Sequence, residues 1–170
     1  IMPFMNKMLD RLKNFTSSRD SYGLVHNDIN RGNMFVENNK ICLFDTADCG
    51  YTWFAADIAL TLFYVIHYYL NNPSGSLQNH VRFFMNHYWD GYFSENKLAD
   101  DDIKYIPTLM TLKTIFIYDQ LTRLWDLSKI NHAQKNFYDQ IYSFSHESFD
   151  FLSPELIKPW SFYLYLFSAK

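Results

Sequence analysis

Three residues of this chain have the types and spacing that phosphoryl transfer chemistry asks for. The segment Val25-His26-Asn27-Asp28-Ile29-Asn30-Arg31-Gly32-Asn33 carries the pattern H-x-D-x-x-x-x-N, and Leu43-Phe44-Asp45 follows at the end of a later apolar run. Moving a phosphoryl group to a hydroxyl requires a positioned base and neutralisation of negative charge, the latter by a hard divalent cation that prefers oxygen ligands. Asp28 is placed to orient an acceptor hydroxyl and take its proton. Asn33 and Asp45 offer the oxygens that would hold Mg2+ on nucleotide phosphates, and are therefore both the metal-ligating and the cofactor-binding candidates.

Each of these has a plainer reading. An H-x-D pair is common and usually an ordinary turn in which the Asp caps a backbone amide. Agreement of all three offsets with the elements around them favours the chemical reading. His26 is expected to pack under the loop without moving protons. Asp48, three residues beyond Asp45, is either a carboxylate behind the metal ligands or a solvated loop acid. A D-x-D-x-T phosphatase motif fails here because of that spacing.

The elements that must position these side chains are legible in outline. Apolar residues at helical spacing predict a helix over Pro3 to Phe15, with Pro3 suited to its first turn. Gly23 to Val25 is a short apolar run ending at His26. Asn33 to Val36 and Lys40 to Phe44 predict a hairpin across Glu37-Asn38-Asn39, because Asn tolerates the positive φ of a tight turn. Beyond that, helices are expected over Trp53 to Leu70, Leu77 to Phe93, Asp100 to Leu127 with Pro107 near its first turns, His132 to Ser148 and from Ser153, where Pro154 suits a first helical position. Asn71 to Ser76 is a linker. The expected fold is mainly α with a small β-hairpin platform, an α+β arrangement in a single domain over residues 1–170.

The stretch Gly23 to Leu60 resembles the core signature of the aminoglycoside phosphotransferase and choline kinase family, relatives of protein kinases. Gly32-Asn33 matches the family's Gly-Asn before the second strand. Phe44-Asp45-Thr46-Ala47-Asp48-Cys49-Gly50-Tyr51 is similar to its acidic strand end, and Trp53 to Ala59 to the following helix start. The resemblance implies a kinase-like C-terminal catalytic lobe, with Asp28 as base, Asn33 and Asp45 on the metal, and Asp57 bracing the catalytic loop. Asn27 departs from the pattern, since many members have Gly after the His. Asn30-Arg31 departs too, where His-Pro is common, and Arg31 bears on which acceptor is admitted.

The implied reaction is Mg-dependent transfer of the γ-phosphate of ATP, or of GTP, to a hydroxyl of an aminoglycoside, choline-like or homoserine-like small molecule. A non-catalytic kinase-like scaffold and a protein Ser/Thr kinase are the alternatives. The loop over the nucleotide phosphates and the strand Lys paired to a helix Glu, which such kinases place in an N-terminal lobe, find no counterpart in these 170 residues. The chain is therefore expected to be a fragment with little turnover by itself.

Composition narrows the partners. The formal net charge is -3 with no cluster of Lys and Arg, which argues against nucleic acid and mildly favours a cationic acceptor. Cys42 and Cys49 fit neither a zinc pattern nor a disulfide framework, so a reducing, cytoplasmic setting is expected. Trp53 to Leu70 is apolar but carries Asp57, His67 and several tyrosines, and reads as a buried helix, with no membrane span. His67, His80, His87, His132 and His146 lie at no metal-ligand spacing and are expected on the surface or packed. Asp100-Asp101-Asp102 reads as the capped, acidic start of a long helix. Trp89, Tyr118 and Trp125 are expected in the core. Oligomeric state is open.

Overall fold

The computed structural model describes residues 2–146, 149 and 152–158. The chain runs through helix α1 (Met2–Leu12), strand β1 (Tyr22–Val25), a 3-10 turn (Arg31–Asn33), strands β2 (Met34–Glu37), β3 (Lys40–Leu43) and β4 (Gly50–Trp53), then helices α2 (Ala55–Asn71), α3 (Leu77–Glu95), α4 (Asp100–Ile103), α5 (Ile106–Leu124), α6 (His132–His146) and α7 (Pro154–Ile157). The expected α+β class holds: a helical body carries two small antiparallel sheets.

The β2–β3 hairpin forms as its sequence predicts. Met34 pairs with Leu43 and Glu37 with Lys40. Asn38 and Asn39 turn the chain at φ 50° and 58°, a left-handed pair that suits a two-residue hairpin loop. Strand β4 was not foreseen. Gly-Tyr-Thr-Trp has no periodicity of its own, and it becomes a strand only by pairing antiparallel with β1, Tyr22 to Trp53 and Val25 to Gly50. The helix expected from Trp53 consequently begins at Ala55. A Cβ on Gly23 would come within 2.7 Å of the Phe54 ring, so the bare backbone of β1 lets the chain turn closely from β4 into α2.

The predicted helix Asp100 to Leu127 is two helices. Pro107 has no N–H, and its ring would clash with the carbonyl four residues back, so a helix cannot run through it. The chain closes α4 with a Tyr105 N–H to Asp102 carbonyl bond of 3.0 Å and restarts with Pro107 in the first turn of α5. The acidic run forms α4 together with Ile103 but does not cap it: Ala99 is the N-cap and makes no side-chain cap bond. Helix α1 stops at Leu12, short of Phe15, whose ring instead stacks on Tyr105 at 3.6 Å and meets Trp53 edge-on. Helix α6 starts with a reciprocal cap in which Asn131 Oδ1 accepts from Gln134 N–H and Gln134 Oε1 accepts from Asn131 N–H, both at 2.9 Å. Its predicted end at Ser148 lies outside the described residues.

The core sits among α2, α3, α5 and α6. Ile58, Leu62, Phe63 and Ile66 of α2 are sealed against Val81, Met85 and Trp89 of α3, Ile106 and Met110 of α5, and Ile141 of α6. Trp89 is core, as expected, and its indole N–H donates to the Ile157 carbonyl, tying α7 to α3. Tyr118 and Trp125 are only half-buried, packed beside Tyr138 and Phe137. Among the described residues, no helix is long and apolar enough to cross a membrane.

Replacing Trp89 by Ala opens a cavity in this core and frees the Ile157 carbonyl. A loss of about 3 to 5 kcal/mol is expected from urea unfolding, with Trp89→Phe costing clearly less.

Candidate active site

The loop between β1 and the 3-10 turn is held from beneath by one carboxylate. Asp57, in the first turn of α2, accepts the backbone N–H of His26 through Oδ2 at 3.0 Å and that of Asn27 through Oδ1 at 2.6 Å. Burial pushes the Asp57 carboxyl upward from its ordinary pKa, and the two backbone donors and nearby His26 and Lys113 pull against that shift. The bracing part that the family resemblance implies for Asp57 is thus present as geometry. Asn27 adopts φ 63°, in the left-handed region, which explains why Gly is common at this position and why Asn can replace it.

Lys113 of α5 ties down the same loop. Its ammonium donates to the Asn27 carbonyl at 3.1 Å and lies 3.2 Å from Asp48 Oδ2. Asp48 is therefore an ion-paired residue, a role that neither sequence reading assigned to it. A lysine in the middle of an apolar helix gave no local signal of its partner, 86 residues away along the chain. His26 packs under the loop as expected, with Nε2 3.0 Å from the Phe44 carbonyl.

Asp28 sits at the top of the loop. Asn33 Nδ2 donates to the Asp28 carboxylate at 2.6 Å and to the Asp28 carbonyl at 3.0 Å. The Tyr64 hydroxyl of α2 reaches the other carboxylate oxygen at 3.4 Å. Tyr64 was not anticipated. Burial and the charge of Asp28 push its phenol well above the ordinary tyrosine pKa, so it stays protonated and serves as a donor.

Asn30 completes the loop by accepting the Gly32 N–H on its side-chain oxygen at 2.7 Å, capping the 3-10 turn, while its amide donates to the Asp28 carbonyl at 3.2 Å. Asn33 is 9% exposed, and with its nitrogen committed to Asp28 its amide oxygen is the atom left for a ligand. Asp45 lies across the open end of the hairpin, where the Phe44 N–H donates to the Asn33 carbonyl at 3.0 Å. It is exposed, at φ 60°, and its carboxylate has no hydrogen-bond partner among the described residues. An amide oxygen and an unpaired carboxylate at one hairpin end are the donor types that a magnesium ion takes, with water and phosphate oxygens filling the other positions. No group of three or more His, Cys, Asp or Glu is gathered for a metal among the described residues, so a site here depends on Asn33.

Beside this loop opens a cavity of about 840 Å3. Ile29, Asn30 and Arg31 of the loop line it, with Tyr64 and Tyr68 of α2, Phe83 of α3 and Phe137 of α6. His67, His80, His87 and His132, which gave no pattern in sequence, also line it. Helix packing brings them together. His67 hydrogen-bonds Gln140 and packs edge-on to Phe137.

Removing the Asp57 carboxylate leaves two backbone donors with nothing to bond. Asp57→Ala is expected to cost roughly 2 to 4 kcal/mol in chemical denaturation and to speed hydrogen exchange at the amides of His26 and Asn27 first.

Comparison with known proteins supplies the family. The model of the phosphotransferase enzyme family matches residues 4–83, the segment from α1 through the loop and hairpin into α3. Amicoumacin kinase of Bacillus subtilis (strain 168) is 34% identical over 130 residues, covering 76% of this chain and 38% of that protein. A solved structure of the amicoumacin kinase hAmiN, in complex with AMP-PNP, Ca2+ and Ami, superposes with a TM-score of 0.73 at 29% identity, covering 85% of this chain and 43% of that one. The chain thus spans less than half the length of either relative. These comparisons support the aminoglycoside phosphotransferase family for this chain, the family match falling on residues 4–83.

Proposed function

We propose that residues 1–170 are one domain, the C-terminal catalytic lobe of an ATP-dependent kinase that phosphorylates a hydroxyl of a small molecule. The observation that carries this reading is the state of Asp28. Its carboxylate is oriented by Asn33 and Tyr64, and Tyr64 also lines the large cavity. An acceptor bound in that cavity would present its hydroxyl to Asp28, which takes the proton as the oxygen attacks the γ-phosphorus and ADP departs.

The Asn33 amide oxygen and the Asp45 carboxylate would hold magnesium, which would supply neutralisation of the phosphate charge. Asp57 and Lys113 keep the Asp28 backbone where that geometry needs it. The hAmiN relative holds AMP-PNP, an ATP analogue, with Ca2+, which supports ATP as donor together with a divalent cation. Amicoumacin, named in both relatives, is the first acceptor to assay beside aminoglycosides, choline and homoserine.

The test uses the longest natural chain that contains these residues. Asp28→Asn is expected to lower acceptor phosphorylation by about 10² to 10⁴ with KM for the acceptor little changed. Asp45→Asn should raise the magnesium concentration needed for half-maximal rate. Both variants should retain the wild-type circular dichroism spectrum. Unchanged phosphorylation in Asp28→Asn would remove Asp28 from the chemistry, and the absence of any phosphoryl transfer by the wild-type protein would favour a scaffold.

A further inference from the structure

The loop that carries Asp28 and the strand end that carries Asp45 are joined by more than the hairpin between them. Before Asp45, His26 Nε2 lies 3.0 Å from the Phe44 carbonyl, and the Phe44 N–H donates to the Asn33 carbonyl at 3.0 Å. Beyond Asp45 the chain turns, with the Cys49 N–H donating to the Thr46 carbonyl at 3.1 Å, and enters β4 at Gly50. In that turn Asp48 meets the Lys113 ammonium at 3.2 Å, and the same ammonium donates to the Asn27 carbonyl at 3.1 Å. Lys113 thus bridges the residue before the candidate base and a residue of the turn that follows the candidate metal ligand.

The surroundings of Lys113 suit a bridge. Its side chain is only 15% exposed, its ammonium lies 5.6 Å from the centre of the Phe116 ring, and α5 is seated in the core by the buried Met110, Thr114 and Ile117. Pairs such as Lys13–Asp10 and Lys135–Asp139 join exposed residues three or four apart, so they contribute little and fix only their own turn. Lys113 instead ties two loop segments to a packed helix.

Asp45 needs support of this kind. At φ 60° it is left-handed, a conformation that a residue with a Cβ keeps only where its neighbours hold it. The Phe44 contacts hold one flank; the Thr46–Cys49 turn and the Lys113–Asp48 pair hold the other. Pairing also occupies Asp48, whose free carboxylate would compete with Asp45 for a hard cation.

We propose that Lys113 is a positioning residue that couples the two halves of the site, holding the Asp28 loop and the Asp45 strand end in one fixed relation through the Asn27 carbonyl and the Asp48 carboxylate. The consequence for phosphoryl transfer rests on the reading above. The mechanical coupling does not.

Hydrogen exchange and steady-state kinetics on the longest natural chain containing these residues test the two parts separately. Lys113→Met, which keeps the length of the stem, should speed exchange at the amides of both Asn27 and Cys49 by about threefold or more. Asp48→Asn, which leaves α5 untouched, should speed Cys49 and leave Asn27 as in the wild type, because the Asn27 carbonyl keeps its ammonium. In the transfer assay Lys113→Met should lower kcat by about tenfold to a hundredfold, the scale of a small misplacement of reacting groups, and raise the magnesium concentration for half-maximal rate. KM for the acceptor should change little. Cys49 exchange unmoved in both variants would overturn the coupling, as would a magnesium requirement in Lys113→Met that is unchanged or lower, since Asp48 would then be a cation ligand that Lys113 restrains. If the wild-type chain transfers no phosphate, the phosphotransfer reading fails while the exchange pattern still decides the coupling.

Discussion

The two hydrogen bonds from the backbone of His26 and Asn27 to the Asp57 carboxylate are the constraint on which the candidate site depends. They fasten the loop that carries Asp28 to the N-terminus of α2, a helix packed into the core. A buried carboxylate is costly unless its oxygens are occupied, and here both are, with the positive end of the α2 dipole adding to the balance. The loop therefore inherits the rigidity of the core. Lys113 adds a tie from α5 to the carbonyl of the same Asn27 residue, so one peptide segment is held through both its donor and its acceptor.

Around that anchor the chain follows a short closed circuit. Strand β1 leads into the loop, the 3-10 turn places Asn33 under the Asp28 carboxylate, the hairpin returns to Asp45, and β4 lies back beside β1 before α2 begins. The strands are too short to form a core, and Leu24, Val36, Ile41 and Tyr51 stay largely exposed. They act as a platform that sets Asn33 against the Asp28 carboxylate and ties the Phe44 backbone, next to Asp45, to the Asn33 carbonyl. This is the usual division of labour in which loops carry the chemistry and packed elements fix its geometry.

Two departures from the sequence-based expectations share one cause. Strand β4 exists because β1 is available to pair with it, and Asp48 is neutralised by a lysine that folding delivers from α5. Neither partner is local, so no window of neighbouring residues contains the information. The break between α4 and α5 is different. Pro107 was visible in the sequence, and its effect follows from the missing N–H and the ring, but the apolar periodicity on both sides of it masked the interruption.

The sequence by itself determined the helical class, the Asn38-Asn39 hairpin, and the offsets that set Asp28, Asn33 and Asp45 on a loop and a strand end. Those features arise from backbone preferences and side-chain chemistry acting over a few residues. Tertiary structure decided which side chains meet: Tyr64 on Asp28, Lys113 on Asn27 and Asp48, and the aromatic and histidine side chains that line one cavity. Helix spacing says which residues share a face, but the rotation and approach of one helix against another follow from how the whole core packs. The character of the cavity, set by residues from α2, α3 and α6 together, is for that reason a property of the folded molecule.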